Sequence, residues 1–326
     1  MTTTDRTRTL SATAPFAFDL ALDYLRLSPS AVIERVDGDS YLRPVRLHGR
    51  GFILRVRGDG PAAAPTLEVE LHGPEPSHAD LDAAGALAVR IFAADHDITA
   101  LPAVAEADPV FGRLVERCHG LRPVLIADPF EALVWAILGQ QINISFAARL
   151  KRALVDRFGG RIEADGLTLA TFPTPERLAG LEHERDLLPL QFSRQKSRYT
   201  IELARAVCDG RIDLGAVARL PAEEAIAALT ALPGIGRWTA EYCLMRAFGH
   251  RDVMPAGDGG LKQVVGREYG LGRLATEAEV RAIGERWAGW RGYAAFYWWY
   301  SLQQDLDRRL AARRNQHPHG SPAPSP

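Results

Sequence analysis

The sequence predicts two folded units in series: an α+β N-terminal domain (an antiparallel sheet with helices) over residues 15–100, followed by an all-α domain over residues 101–311. Three observations carry that reading. Short apolar runs with partial two-residue alternation lie between Phe16 and Leu71. Helix-start signals replace them after Leu101. The length, 326 residues, is about two domains' worth at roughly 150 residues each. The polar ends, residues 1–14 and 312–326, are expected to be disordered tails.

Taken in order, Pro15–Leu27 suits a strand followed by a short helix, and Leu42–Leu47, Gly51–Arg57 and Thr66–Leu71 suit strands. Leu81–Ala94 has the spacing of an amphipathic helix that can cover a sheet. Asp128-Pro129-Phe130-Glu131 then supplies an N-cap, a proline at the first helical position and an acid at N3. Asn143 or Ser145 caps the next helix, whose Phe146, Leu150, Leu154 and Phe158 form a stripe ending at Gly159-Gly160. Thr174-Pro175-Glu176, Ser193-Arg194 and Thr276-x-x-Glu279 mark further starts, for eight to ten helices in all.

Composition excludes several classes. With 47% hydrophobic and 24% charged residues the chain is globular, and no run approaches the roughly 18 apolar residues of a membrane span. The first 15 residues have no apolar segment and do not read as a secretory signal. Cys118, Cys208 and Cys243 are far apart, which disfavours a disulfide framework, a zinc ribbon or an iron–sulfur cluster and points to a cytoplasmic protein. The net charge of -1 divides unevenly: residues 15–100 carry 8 basic and 13 acidic side chains, whereas 101–326 carry 29 and 26. Only Lys151, Lys196 and Lys262 are lysine.

The most informative segment is Leu220–Gly249. A helix from about Ala222 to Thr230 meets Leu232-Pro233-Gly234-Ile235-Gly236, and a second helix runs from Arg237 to Phe248. Glycine allows positive φ in such a turn and close approach of backbone N–H groups to a phosphate. The helix starting there points its positive end at the same anion, which grips a DNA backbone without reading sequence. After it, Met254-Pro255-Ala256-Gly257-Asp258-Gly259-Gly260 places Asp258 where an N-cap stands, and the helix end stabilises its negative charge. Alone, the turn also suits an ordinary αα-hairpin and Asp258 an ordinary cap. The order hairpin, loop, Asp, helix separates the two readings.

With that order, the sequence resembles the helix–hairpin–helix DNA glycosylase superfamily, and within it DNA-3-methyladenine glycosylase II, the AlkA type. The resemblance rests on Ala136-Ile137-Leu138-Gly139-Gln140-Gln141, on LPGIGRWTAEY, on the Asp258 segment, and on Trp290-Arg291-Gly292-Tyr293-Ala294 with Trp299-Tyr300. It spans roughly residues 15–310.

The resemblance implies that Asp258 is the catalytic carboxylate, stabilising a cationic sugar or activating the attacking water. Trp238 stands where the bifunctional branch has its lyase lysine, so no Schiff base forms there and the product is an abasic site. Trp238, Tyr242, Trp299, Tyr300, Gln140 and, by a gapless match, Tyr24 are expected at the base pocket, where rings stack on an extruded base and favour a cationic, alkylated one. Gly234, Gly236, Arg237 and Thr239 are expected at DNA, with Gln141 as the wedge, an amide where the alkylbase type often carries leucine. Arg194 and Lys196, in a loop-to-helix segment with three bases and no acid, form a candidate phosphate patch or a solvated helix face. No cofactor is implied and no metal is required, apart from a monovalent cation at backbone carbonyls near Leu232. The expected partner is double-stranded DNA carrying damaged bases, met by a monomer that touches no membrane and works on bacterial nucleoid DNA. Three alternatives stay open: another lesion, oxidised or deaminated, a non-catalytic DNA-binding module, and a protein-interaction scaffold that does not touch DNA.

Overall fold

A computed structural model describes residues 6–60 and 63–316. The N-terminal part is a five-stranded antiparallel sheet of order β1-β5-β4-β3-β2. Its strands are β1 (Thr7–Ser11), β2 (Arg35–Asp37), β3 (Ser40–Leu47), β4 (Arg50–Asp59) and β5 (Thr66–His72), accompanied by α1 (Phe18–Leu27) and α2 (His78–Phe92). Side chains alternate across a strand. Tyr41, Phe52, Leu54, Val69 and Leu71 therefore enter the core shared with both helices, while Leu42 and Ile53 face the other way.

The remaining helices are α3 (Leu101–Glu106), α4 (Pro109–Arg117), α5 (Pro129–Gly139), α6 (Ile144–Phe158), α7 (Pro175–Ala179), α8 (Arg194–Cys208) and α9 (Leu214–Val217). They are followed by α10 (Ala222–Thr230), α11 (Arg237–Arg246), α12 (Gly259–Glu268), α13 (Glu277–Gly284) and α14 (Arg291–Gln316). Their starts follow local chemistry. Asp128, Asn143, Thr174 and Ser193 each accept an amide of the first turn, and Thr276 with Glu279 forms a reciprocal capping box. Glu131, the expected N3 acid of α5, does not reach back to its cap. It lies buried between Lys151 Nζ (2.6 Å) and Arg43 (2.6 Å), and Arg43 also meets Glu34.

Three expectations need correction. The N-terminal tail is not wholly loose: β1 adds to the sheet edge, pairing Thr7–Ser11 with Thr66–Glu70. Arg6 donates to the Gly73 carbonyl (3.0 Å) and the buried Arg122 to the Pro15 carbonyl (2.6 Å), which pins the segment. The C-terminal tail expected from residue 312 is helical as far as Gln316, because α14 continues to there; the rest of that expectation, residues 317–326, and residues 1–5 lie outside the described residues. The helical part also contains a hairpin, β6 (Arg161–Ala164) with β7 (Leu167–Ala170). Its Ile162, Ala164 and Leu169 cover Leu42 and Ile53 on the outer face of the sheet, which would otherwise leave apolar surface in water.

The cores divide the chain differently from the sequence order. One unites the sheet, α1–α4 and α12–α14; the other unites α5–α8, α10 and α11. Phe296, Tyr297 and Trp298 of α14 are all buried in the first. Trp299 touches both, and the cleft runs along this seam. No helix among the described residues is long and apolar enough to cross a membrane.

Candidate active site

A cavity of about 770 Å³ opens between the two cores. α1 contributes Tyr24, the α5–α6 turn Gln140 and Gln141, α11 Trp238, Tyr242 and Arg246, the start of α12 Asp258, and α14 Trp299, Leu302 and Gln303.

Asp258 is the N-cap of α12, brought there by the Pro255-Ala256-Gly257 loop, where the Asp258 amide donates to the Pro255 carbonyl (2.9 Å). Its Oδ1 accepts the Leu261 amide (3.0 Å) and the Trp299 indole Nε1–H (2.9 Å). Both bonds fall on Oδ1 and leave Oδ2 out of this clamp. Beside it, Trp238, Tyr242 and Trp299 form a run of rings, each step 5.7 Å between centroids. Trp238 and Tyr242 are one helical turn apart on α11, and Trp299 is aligned by its bond to Asp258.

The hairpin helices fall at Ala222–Thr230, as the sequence predicts, and at Arg237–Arg246, two residues short of the expected Phe248. Its two glycines differ. Gly234 has φ of +83° and a Cβ there would lie 2.2 Å from the Tyr199 ring. Gly236 has φ of −90° with open space around it, and it caps α11 with no side-chain bond to the first-turn amides. Gly236 therefore leaves those amides open to a ligand, whereas Gly234 is required by the turn itself. The Leu232 carbonyl accepts the Ile235 amide (3.2 Å) and keeps a second lone pair that would suit a cation.

Several expected contacts are placed elsewhere. Tyr300 is 2% exposed and packs on Tyr24 in the core, not in the cavity, because successive helical residues point about 100° apart. The α14 face at the cavity is Trp299, Leu302, Gln303 and Leu306. Lys196 is buried: Nζ donates to the Ile137 (2.9 Å) and Gln140 (2.6 Å) carbonyls at the end of α5, and burial lowers its pKa to about 8. Thr239 is buried too, accepting a bond from Gln140 Nε2 (3.1 Å), which also donates to the Gly234 carbonyl (2.8 Å). Lys196, Thr239 and Gln140 are thus a brace joining the α5–α6 turn to the hairpin. The brace holds up Gln141, exposed at the cavity with a left-handed φ of +57°. Arg237 is exposed but paired with Glu223 (2.7 Å) and Glu241 (2.9 Å), and Arg194 is exposed at the start of α8.

Of the three lysines, Lys151 and Lys196 are buried in internal bonds, and none lines the cavity. Sequence reasoning missed Arg246, although it continues the i, i+4, i+8 stripe of Trp238 and Tyr242.

This fold, with a glycine-capped hairpin and an aspartate-capped helix on one cleft, defines the class of the protein. Residues 134–289 match the model of the HhH-GPD superfamily base excision DNA repair proteins, and the chain belongs to that superfamily. Within it, the chain is similar to DNA-3-methyladenine glycosylases. It is 36% identical to the DNA-3-methyladenine glycosylase of Bacillus subtilis over 65% of this chain and 69% of that one. It is 31% identical to DNA-3-methyladenine glycosylase 2 of Escherichia coli over 90% of this chain and 96% of the relative. The structure of the 3-methyladenine DNA-glycosylase from Archaeoglobus fulgidus superposes with a TM-score of 0.79 at 26% identity, covering 91% of this chain and 98% of that one.

Proposed function

We propose that this chain is a monofunctional DNA glycosylase that excises alkylated purines, 3-methyladenine first, from duplex DNA in base excision repair and leaves an abasic site. The observation that carries the reading is the Asp258 clamp beside the Trp238–Tyr242–Trp299 rings, a fixed carboxylate next to a slot for a flat base.

In this reading a monomer binds the duplex through the open amides at Gly236 and the exposed Arg194. Gln141 enters the stack as the nucleotide leaves it, a step costing a few kcal/mol and least for a damaged base. The base stacks in the ring slot. As the glycosidic bond breaks, the Asp258 carboxylate stabilises the positive charge that develops on the sugar, and water completes the hydrolysis. The bonding electrons leave with the base, and an alkylated base that is already cationic departs as a neutral molecule without prior protonation. Trp238 cannot form a Schiff base, and the bonds and burial of Lys151 and Lys196 keep both amines from the sugar.

The test is a panel of duplex oligonucleotides and methylated duplex DNA, each carrying one defined lesion, assayed for base release with and without hot alkali. The expected result is release of 3-methyladenine, with strand cleavage only after alkali. Release of 8-oxoguanine but not 3-methyladenine would overturn the lesion class, and nicking without alkali the monofunctional reading.

A further inference from the structure

Arg246 sits at the cavity one turn beyond Tyr242 and is 4% exposed. Arginine keeps its charge in proteins, so this is a fixed buried cation. Its guanidinium lies over the rings of Tyr24 (5.2 Å to the centroid), Phe296 (5.5 Å) and Tyr242 (6.0 Å). One Nη donates to the Val124 carbonyl (2.9 Å). Its Nε–H is buried with no partner. Its charge is favoured first by the Tyr24 and Tyr242 hydroxyls, Tyr24 lying within bonding reach of the guanidinium, and last by Glu34, whose carboxylate already bonds Arg43. A buried donor left unpaired costs free energy that a ligand atom can return. Two more residues that line the same cavity also hold a buried polar atom without a partner, Trp238 Nε1 and Gln303 Oε1.

An aromatic slot by itself favours a cationic base. Arg246 opposes that preference, since a like charge repels while a lone pair gains a charge-assisted bond. We propose that Arg246 is a specificity-determining residue that donates to a carbonyl oxygen or ring nitrogen on the inner edge of the extruded base, and so admits neutral purines carrying such an acceptor. The assignment rests on the base-excision reading and concerns which bases that pocket takes.

The experiment measures single-turnover release of hypoxanthine, neutral with a 6-oxo acceptor, and of 3-methyladenine, cationic while attached, by the wild type, Arg246→Met and Arg246→Lys. Arg246→Met should slow hypoxanthine release roughly ten- to hundredfold more than 3-methyladenine release, the size of a lost charge-assisted bond. Arg246→Lys should restore part of that ratio. Equal slowing of both bases would show a packing role only and overturn the assignment. A second measurement needs no variant: quenching of wild-type tryptophan fluorescence by free bases should give roughly tenfold tighter binding of hypoxanthine than of purine, which lacks the 6-oxo group. Equal affinities would overturn the assignment as well. If the wild type released neither base from DNA, the excision reading itself would fall; release with an unchanged ratio in the variants would sink only the role of Arg246.

Discussion

Two helices begin at the edge of the same cleft and treat their starts in opposite ways. α12 is capped by Asp258, whose Oδ1 takes the Leu261 amide, so the protein supplies its own anion and fixes it there. α11 is capped by Gly236, which offers no side chain to the first amides, and a Cβ there would meet open space. The physics is shared: unpaired amides and the helix dipole attract negative charge. The cap residue decides whether that charge is internal and immobile, fit to face a cationic transition state, or external and exchangeable, as a phosphate is. α5 shows a third solution. Its Asp128 caps, while Glu131, free of that duty, is paired with Lys151 and Arg43 in the interior.

The largest expected effect comes from removing the internal anion. Asp258→Asn keeps the capping oxygen but loses the charge, so base release in single-turnover assays should fall on the order of 10²–10³-fold. Binding to abasic-analogue DNA should stay within about threefold. A matching collapse of binding would erase the distinction between the two helix starts. Next in size, Gly236→Asp gives α11 an anion of its own. DNA affinity at fixed salt should drop about ten- to hundredfold, the loss of one charge-assisted phosphate contact plus repulsion, while release from saturated complex changes less. Unaltered affinity would mean that the hairpin amides do not hold the backbone.

The third test is thermodynamic. Burial would raise the pKa of Glu131, but Lys151 and Arg43 outweigh burial and hold it below the usual carboxylate value of 4.5. A depressed carboxylate stabilises the fold above its unfolded pKa and loses that contribution as the pH falls below it. Thermal stability should therefore decline below about pH 4.5, on the order of 1.4 kcal/mol for each unit of depression. Glu131→Gln should be less stable at neutral pH and show a flatter acid limb; an unchanged slope would remove Glu131 from that account.

The sequence was most legible where geometry is local. Gly/Pro punctuation set the hairpin, and cap residues set the starts of α5, α6, α8, α12 and α13. It was least legible where meaning depends on a distant partner. Lys196 and Thr239 look like DNA contacts until the α5 carbonyls and Gln140 come to meet them. Trp299 and Tyr300 are neighbours in sequence, and only the rotation of α14 against its core says which one reaches the cavity. β1 carries only one half-buried apolar residue, Leu10, so its strand exists because an edge was available to pair with. The β6–β7 turn, by contrast, did have a signal in Asp165-Gly166, both with positive φ, the dipeptide a two-residue hairpin favours.

The first core is closed by its last helix. Tyr293, Phe296 and Tyr297 of α14 are buried with residues of the sheet and α1, and Tyr24 lies 4.5 Å from the Phe296 ring. During vectorial synthesis α1 and α2 can cover the sheet soon after it emerges, but the Tyr24 side of α1 waits nearly the whole length of translation for the helix that completes it. The same delay governs the cleft, since Trp299, which clamps Asp258, arrives on that helix. A nascent chain that already has both hairpin helices still lacks the Trp299 bond to Asp258, so the uncapped start of α11 is in place before the fixed carboxylate of α12 is.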